Sequence, residues 1–252
     1  RHTRFKCDWS SDVCSSDLAG SRFLSQGYKV PKFMIKARDR SLFEWSLLSL
    51  KKFYDQKFIF ACLAEHDANW IIEHAKILGI SKACVTSRSK MSLGQAQTAY
   101  EALSTSNDSD SLLIYNIDTY IEKGLTPDWG VKYHGYVPVF ESIHPGMSFV
   151  KYNSEGEVEQ IAEKQRISKW ATIGAYGFRS IDFYKRLYEH SYLHGGIRMV
   201  LGEQYIAPMY QLLLSKGQAI YAPQIDISSV HVLGTPEEVL QFDPAALPPF
   251  GS

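Results

Sequence analysis

An excess of charge of either sign is absent from this sequence. Its 252 residues include 27 Lys and Arg and 27 Asp and Glu, so the formal net charge at neutral pH is zero. A neutral chain has no general electrostatic attraction for nucleic acid or for anionic membranes, and we expect neither as a partner. Any binding of anions must therefore come from a local cluster of cations.

Long apolar runs and cysteines are also scarce. No apolar run approaches the ~18–20 residues that span a bilayer, so no membrane-spanning segment is expected. Beyond residue 18 the cysteines are Cys62 and Cys84. Two isolated cysteines form neither a disulfide framework nor a zinc site, which favours a reducing cytoplasm. The chain length and the 45% hydrophobic content suit one large domain with a well-filled core.

The first eighteen residues differ in character from the rest. Residues 1–18 (RHTRFKCDWSSDVCSSDL) resemble the translation of a sequencing-library adapter, and their mixture of Ser, Asp, Cys and Trp shows neither a strand nor a helix period. We therefore interpret them as non-native and expect the domain to occupy residues 19–243. Residues 244–252 form a Pro-rich tail, for which truncation is one interpretation.

The first half of the sequence alternates strand-like and helix-like segments. Runs typical of strands at 57–63 and 82–86 are followed by helical spacings at 67–78 and 95–103. Residues 112–117 (LLIYNI) then form a continuous apolar run of the kind buried in a parallel sheet. The alternation predicts an α/β fold, with a Rossmann-like, mixed but mostly parallel sheet flanked by helices.

The second half is richer in strands, which indicates a mixed or antiparallel edge to the sheet. Strand-like segments are expected at 137–150, 158–162, 171–178 and 218–221, and helices at 181–192 and 202–214. A further helix is predicted to begin at Thr235, with threonine as the N-cap and Pro236 at the first helical position.

A phosphate-binding cluster is predicted between Gly20 and Lys32. Glycine allows the backbone to approach a phosphate, and the consecutive N–H groups around Gly20 and Ser21 can bind an anion. Arg22 adds a planar guanidinium fork and Lys32 a point charge. On these residues alone, an exposed turn with two solvated cations is the other interpretation.

Asp118 follows the apolar run 112–117 directly. A carboxylate just past the carboxyl end of a buried strand lies where open α/β sheets bind their ligands. Its oxygens would hold Mg²⁺, which bridges phosphates and neutralises developing charge. An aspartate that begins a turn is the alternative.

The order of these features resembles that of the nucleotidyltransferases that activate phosphorylated sugars and related phosphate monoesters, and more narrowly their capsular-polysaccharide branch. Residues 19–23 (AGSRF) are similar to the second half of the family's Gly-x-Gly-Ser/Thr-Arg loop, and Pro31-Lys32 to its lysine motif. The family's opening strand and first loop glycine have no match. The resemblance implies the nucleotide-diphospho-sugar transferase fold, with Gly20 and Ser21 binding nucleotide and Arg22 and Lys32 acting on the triphosphate.

The resemblance also implies where the two substrates bind. Gly94-Gln95 is similar to the family segment along the base and ribose, where a short residue permits close approach and an amide can read a base edge. An ordinary helix N-terminus is the alternative there. Glu163-Lys164, followed by the Ala-Thr-x-Gly pattern that ends at Gly174, resembles the acceptor motif. Lys164 would contact the acceptor's phosphate, with Glu163 and Gly174 beside the acceptor, although a solvated strand-end charge is the other interpretation of Lys164.

One motif departs from the family. Many relatives carry Trp-Asp before a Gly-Thr-Pro, and that aspartate is their second metal ligand. This chain has His231-Val232 before residues 233–236 (LGTP), and valine cannot bind a metal. Asp226 and Glu203 are the nearby carboxylates that can substitute, and a single-metal site is also open. His231 is expected to be a structural or substrate-wall residue.

These features together predict a cytoplasmic nucleotidyltransferase that uses Mg²⁺, an NTP and a phosphorylated small-molecule acceptor to supply a surface-polysaccharide precursor. Two alternatives stay open. A glycosyltransferase with a related sheet would also use a strand-end acid for its metal, but it has no use for an Arg–Lys pair over a leaving pyrophosphate. A non-catalytic nucleotide-binding relative is suggested by Val232, and a chain without the family's opening strand can lack activity.

Overall fold

The computed structural model describes residues 9–14, 21–126, 130 and 132–246, with the backbone alone for 9–14, 21 and 22. In chain order its elements are β1 (Trp9–Cys14), α1 (Ser21–Ser25), β2 (Lys36–Ala37), β3 (Arg40–Ser41), α2 (Leu42–Leu48), β4 (Lys57–Leu63), α3 (Ala68–Ile77), β5 (Lys82–Arg88), α4 (Gln95–Ala102), β6 (Ser111–Tyr115), β7 (Thr119–Ile121), β8 (Gly135–Tyr136), β9 (Val139–Glu141), β10 (Ser148–Tyr152), β11 (Val158–Glu163), β12 (Trp170–Thr172), β13 (Ala175–Phe178), α5 (Ile181–Tyr188), α6 (Ala207–Ser215), β14 (Ile220–Tyr221), β15 (Val230–Val232) and α7 (Pro236–Phe242). Within this part of the chain, no helix is both long and apolar enough to cross a membrane.

The central sheet has seven strands in the order β14-β8-β13-β6-β1-β4-β5. All neighbours are parallel except at β13, which runs antiparallel to both β6 and β8. Alternate residues of β4 enter different core clusters, with Phe58 and Phe60 on one face and Ile59 and Ala61 on the other. The sheet is therefore covered on both faces, which explains the continuous apolar run and confirms the predicted α/β architecture.

The position of β1 is not predicted by its side chains. The sequence of residues 9–14 shows neither a strand nor a helix period, yet this segment pairs in parallel with β4 on one side and β6 on the other. The physical reason is that strand pairing uses backbone N–H and C=O groups, which every sequence carries, and the two flanking strands present such groups to the central position. The non-native origin of residues 1–18 stays a prediction.

A second sheet of four strands, in the order β11-β10-β12-β9, is antiparallel throughout. The segment predicted as a strand at 137–150 contains β9 and the start of β10, both in this second sheet, and the segment predicted at 171–178 divides between the two sheets as β12 and β13. The chain leaves the central sheet at Pro138, between β8 and β9, and returns at Gly174, between β12 and β13. Proline cannot donate a ladder hydrogen bond, and Gly174 has φ +78°, which glycine tolerates best.

Capping residues set the helix boundaries. Asp67 caps α3 by accepting hydrogen bonds from the Asn69 and Trp70 amides, and Thr235 caps α7 in a capping box, as predicted from the sequence. The helix predicted at 202–214 begins later, at Ala207. Residues 202–205 are not helical because Gly202 has φ +81° and the Gln204 backbone bonds to a distant loop.

A third core cluster joins the two ends of the described chain. Phe23, Tyr28 and Leu42 pack there with Phe242 and Ala246. The Tyr28 hydroxyl donates a hydrogen bond of 2.7 Å to the Ala246 carbonyl oxygen. The packed structure therefore extends past residue 243, into the segment predicted as a tail.

Candidate active site

A cleft of about 180 Å³ lies beyond the carboxyl end of β6, between that strand and the β10–β11 hairpin. Five of the residues predicted from the sequence line it: Gln95, Asp118, Glu163, Lys164 and Gly174. In a sheet of this kind the carboxyl ends of the strands are where ligands bind, because loops of different origin converge there. The fold thus brings the predicted base-binding, metal-binding and acceptor-binding residues into one cavity.

Gly94 and Gln95, the residues predicted to bind the base, form one end of the cleft. The Gln95 side chain donates a hydrogen bond of 2.5 Å from Nε2 to Asn116 Oδ1. Gly94 has φ +141°, and a Cβ there would lie 2.7 Å from the Gln204 carbonyl oxygen and 2.8 Å from its nitrogen. Only glycine fits this close approach.

Asp118 lies in the connection between β6 and β7, half-buried at the floor of the cleft. Its backbone oxygen accepts a 2.6 Å hydrogen bond from Leu233 N, and its Oδ1 lies 3.3 Å from Thr119 Oγ1. A Cβ on Gly234 would lie 3.9 Å from Asp118 Oδ2. The Gly-Thr-Pro segment therefore packs directly against this carboxylate.

The two substitutes considered for a second metal ligand lie outside the cleft lining. Val232 lines the cleft next to Asp118 and offers no donor. Asp226 is exposed and accepts a 2.9 Å hydrogen bond from Ser228 N, which with the Ser228 side chain lowers the pKa of Asp226. Glu203 is one of the causes, after burial, that raise the pKa of Tyr205. Over the described residues there is no group of three or more His, Cys, Asp or Glu side chains able to hold a metal.

One carboxylate at this position still fits Mg²⁺. Magnesium is usually bound by one or two carboxylates together with substrate phosphates rather than by a complete protein cage. The oxygens of Asp118 supply the hard ligand this requires. Its half-buried position in the cleft leaves the other ligands to come from substrate and water.

His231 belongs to the packing around the cleft. Its ring stacks on Tyr120, with 5.5 Å between ring centroids, and its Nε2 lies 2.9 Å from Glu122 Oε1. Of its two predicted roles, these contacts favour the structural one.

The end of the cleft that is predicted to bind the acceptor is built across the β10–β11 hairpin. Glu163 is opposite Ser148 in the strand register, and the Ser148 hydroxyl donates a hydrogen bond to Glu163 Oε2. The Ser148 hydroxyl also lies 3.4 Å from the Tyr176 hydroxyl, which is 3.1 Å from Thr172 Oγ1. Burial raises the pKa of Glu163, while the Ser148 hydrogen bond and the charge of Lys164 lower it.

Lys164 has an unusual backbone. Its φ is +51°, rare for a residue with a side chain. Its N–H donates to Met147 O at 3.0 Å, which holds this conformation. The ammonium group donates a hydrogen bond to the Tyr205 hydroxyl and lies 4.5 Å from the centre of the Tyr205 ring. Lys164 therefore points into the cleft and is held by a contact with a neighbouring tyrosine.

Gly174 packs against the Asn116 side chain. A Cβ there would lie 3.0 Å from Asn116 Nδ2, and Asn116 N donates to Gly174 O at 3.0 Å. A side chain at position 174 would displace Asn116 and so disturb the Gln95 amide bonded to it. Gly174 thus affects both ends of the cleft.

The predicted phosphate loop is only partly described. Gly20 lies outside the described residues, and of Ser21 and Arg22 the backbone alone is described, as the first residues of α1. Lys32 is buried, with 4% of its surface exposed, and its Nζ lies 5.9 Å from the Phe23 ring centre. Among the described side chains, no carboxylate pairs with it.

Ten residues of the cleft lining were not predicted as functional, and those with polar side chains are Asn116, Thr119, Ser148, Thr172, Tyr176 and Tyr205. The sequence around Ser148 carries no evident chemistry. The role of Ser148 depends on the strand register opposite Glu163. For Tyr205 no sequence signal existed, because its partner Lys164 is 41 residues away.

Known structures resemble this chain over nearly its whole length. A nucleoside-diphosphate-sugar pyrophosphorylase from Vibrio cholerae RC9 has a TM-score of 0.80 and 30% sequence identity, covering 93% of this chain and 98% of that one. The inositol-1-phosphate CTP transferase of T. maritima has a TM-score of 0.68 and 14% identity, covering 97% and 98% respectively. A Bacillus anthracis protein assigned as a glucose-1-phosphate thymidylyltransferase has a TM-score of 0.69 and 15% sequence identity, covering 97% of this chain and 96% of that one. No family model and no curated protein matches the chain.

Proposed function

The chain belongs to the family of nucleoside-diphosphate-sugar pyrophosphorylases, and from this premise we propose that it transfers a nucleotidyl group from an NTP to a phosphorylated sugar or similar phosphomonoester. Pyrophosphate is the second product. The supply of a cytoplasmic precursor for surface polysaccharide is the finer part of the proposal. It is supported by the similarity of the segment from Glu163 to Gly174 to the capsular branch.

The observation that supports the reaction most is the composition of the cleft. Gln95, Asp118 and the neighbouring pair Glu163 and Lys164 come from three different segments and line one cavity. An amide for a base, a carboxylate for a cation and an ammonium for a phosphate are the groups that this transfer requires. Their common location favours a site that binds nucleotide and acceptor together.

In the proposed reaction an oxygen of the acceptor's phosphate attacks the α-phosphorus of the NTP. A new P–O bond forms as the bond to the bridging oxygen of the pyrophosphate breaks. The attacking phosphate is already anionic, so the step needs positioning and charge neutralisation more than a general base. Lys164 would hold the attacking phosphate, and Glu163 would accept hydrogen bonds from acceptor hydroxyl groups.

The nucleotide would be held by separate groups. The Gln95 amide would read the base edge, and Arg22 and Lys32 would contact the triphosphate. Lys32 is a buried cation without a carboxylate partner in the described part of the chain, which favours an anion beside it because an unpaired buried charge is costly. Mg²⁺ held by Asp118 would neutralise phosphate charge when bound.

A substrate screen tests the proposal. The full chain is incubated with Mg²⁺, each of the four NTPs and a panel of sugar 1-phosphates and other phosphomonoesters, and pyrophosphate is measured. We expect release that requires both substrates. Sugar transfer from a nucleotide sugar, without pyrophosphate release in the screen, would identify a glycosyltransferase, and NTP binding without turnover on any acceptor would identify a non-catalytic relative.

A second version of the protein tests the phosphate loop. Residues 1–18 are replaced by a hydrophobic strand that ends in Met-Ala-Gly, which restores the family's loop before Ser21. We expect a higher rate of pyrophosphate release, because the family's first loop glycine would then be present and the strand before the loop would carry apolar side chains. An unchanged rate would count against the assignment of Gly20–Arg22 as a phosphate loop.

A further inference from the structure

The segment 203–205 touches both ends of the cleft. The Gln204 N–H donates to Leu93 O at 2.7 Å, and its carbonyl oxygen accepts from Ala96 N at 3.0 Å. These two bonds clamp the segment onto the loop around Gly94, where a Cβ would collide with the Gln204 backbone. The nucleotide end of the cleft is therefore bonded directly to this segment.

The next residue, Tyr205, lines the acceptor end of the same cleft. Its hydroxyl group accepts a hydrogen bond from Lys164 Nζ. Burial, followed by the nearby Glu203 carboxylate, raises the pKa of Tyr205. The phenol therefore stays protonated at neutral pH, and its oxygen accepts the hydrogen bond from Lys164 as a neutral group.

The Tyr205 backbone is held as well. The Tyr192 hydroxyl donates a 2.5 Å hydrogen bond to the Tyr205 carbonyl oxygen. Lysine is a point charge on a flexible four-carbon stem, so its ammonium group samples many positions unless a partner limits them. A tyrosine whose backbone is held in this way is such a partner.

We propose that Tyr205 is a positioning residue that aims the Lys164 ammonium group at the acceptor's phosphate, and that the segment 203–205 links the acceptor end of the cleft to the nucleotide end. The proposal rests on the proposed function for the identity of the anion. It adds a residue that none of the sequence motifs contains. Lys164 has three N–H donors, so one can stay on Tyr205 while the others bind phosphate oxygens.

Chemical footprinting tests this without turnover. The full chain is treated briefly with acetic anhydride at increasing concentrations of inorganic phosphate, and acetylation of each lysine is quantified by mass spectrometry. Phosphate bound at Lys164 protects its amine. Lys169, which is exposed and paired with Glu141, is the internal control that phosphate should not protect.

The variant Tyr205→Phe keeps the ring beside Lys164 and removes the hydroxyl group. The matched control is Tyr152→Phe, which removes a hydroxyl bonded to Ala222 O at 2.6 Å away from the cleft. We expect the phosphate concentration that half-protects Lys164 to rise about tenfold in Tyr205→Phe, as for the loss of a hydrogen bond to a charged group, and to be unchanged in Tyr152→Phe. Equal protection in wild type and Tyr205→Phe, or no protection in wild type, would overturn the proposal.

Kinetics then separate this proposal from the transfer reaction. With any substrate pair that turns over in the screen, Tyr205→Phe should raise the acceptor KM about tenfold and change the NTP KM less than twofold. Equal effects on both KM values would indicate a general structural role and contradict the positioning role. Protection of Lys164 that depends on Tyr205, without turnover on any pair, would support the positioning role and contradict the proposed reaction.

Discussion

The hydroxyl group of Ser148 donates a hydrogen bond to the carboxylate of Glu163 across the β10–β11 hairpin, inside the cleft. Burial raises the pKa of Glu163, and this bond is the largest of the effects that lower it. Ser148 thus favours the charged form of a carboxylate that would face the acceptor. The four predictions below begin with this pair.

Ser148→Ala is expected to make stability depend more strongly on pH. The folded-state pKa of Glu163 lies above the ordinary value of 4.5, so its stabilising contribution is full below that pH and is lost as pH rises through the folded pKa. Without Ser148 the pKa of Glu163 in the folded state rises further. The free energy of unfolding at pH 7–8 then falls by about a further 1.5–3 kcal/mol. Thermal unfolding between pH 4 and 8 measures this.

Two further variants serve as controls for Ser148. Ser168→Ala removes a hydroxyl that donates to the Val150 carbonyl oxygen at 2.6 Å. Because no carboxylate takes part in this bond, the stability that the variant loses should be the same at every pH. Glu163→Gln removes the titrating group and should flatten the pH dependence. Parallel pH profiles for Ser148→Ala and Ser168→Ala would contradict the assigned cause.

Asp118→Asn is expected to abolish metal-dependent turnover. Removing an oxygen ligand that positions phosphate charge should raise the barrier by about 3–4 kcal/mol, by analogy with the loss of one electrostatic contact in other active sites. Pyrophosphate release is followed as a function of Mg²⁺ concentration. Asp226→Asn is the control, because Asp226 is exposed and bonded to Ser228, and it should leave turnover unchanged. Normal turnover in Asp118→Asn would remove Asp118 from the site.

Val232→Asp is expected to create a second carboxylate beside Asp118. Val232 lines the cleft and pairs in register with Thr119. Two neighbouring carboxylates repel without a cation and share one when it binds. The melting temperature should fall without Mg²⁺ and recover with it, and calorimetry should show Mg²⁺ binding several times tighter than in wild type.

Val232→Asn controls for shape, because the amide has a similar size and no charge. Its melting temperature should not respond to Mg²⁺ more than that of wild type. If Val232→Asp and Val232→Asn respond alike, position 232 does not face the bound metal.

Gly94→Ala is expected to destabilise the protein by at least about 3 kcal/mol, because it combines backbone strain with a collision. Its φ of +141° is unfavourable for alanine, and the new Cβ would meet the Gln204 backbone at 2.7 Å. Gly79→Ala is the control, since Gly79 has φ +96° and nothing within 4 Å of a new Cβ. Urea unfolding should show a clearly larger decrease in the free energy of unfolding for Gly94→Ala than for Gly79→Ala. Similar decreases would show that the Gln204 backbone moves away from the new Cβ at little cost.

Local patterns in the sequence predicted much of this fold. The apolar run of 57–63 became β4, the helical spacing at 67–78 became α3, and Thr235 caps α7 as predicted. These features depend on neighbours within a few residues, so the sequence contains all of their physical cause. The late start of α6 was not predicted because Gln204 is bonded to Leu93 and Ala96, far away in the chain.

The candidate site also divides into features set by local sequence and features set by distant contacts. Motifs in the sequence predicted the chemical groups of the site, such as the strand-end carboxylate of Asp118 and the ammonium group of Lys164. The hydrogen-bond partners of these groups were not predicted, because Ser148 reaches Glu163 through the register of a hairpin and Tyr205 reaches Lys164 through a segment clamped onto another loop.

By itself, then, the sequence determined the alternating strands and helices, the helix caps and the chemical types in the cleft. The tertiary structure alone decided that 9–14 fills the centre of the sheet, because strand pairing depends on backbone groups and on a position between two strands rather than on side chains. It also decided that Ser148 and Tyr205 belong to the site, because packing selects which distant residues meet.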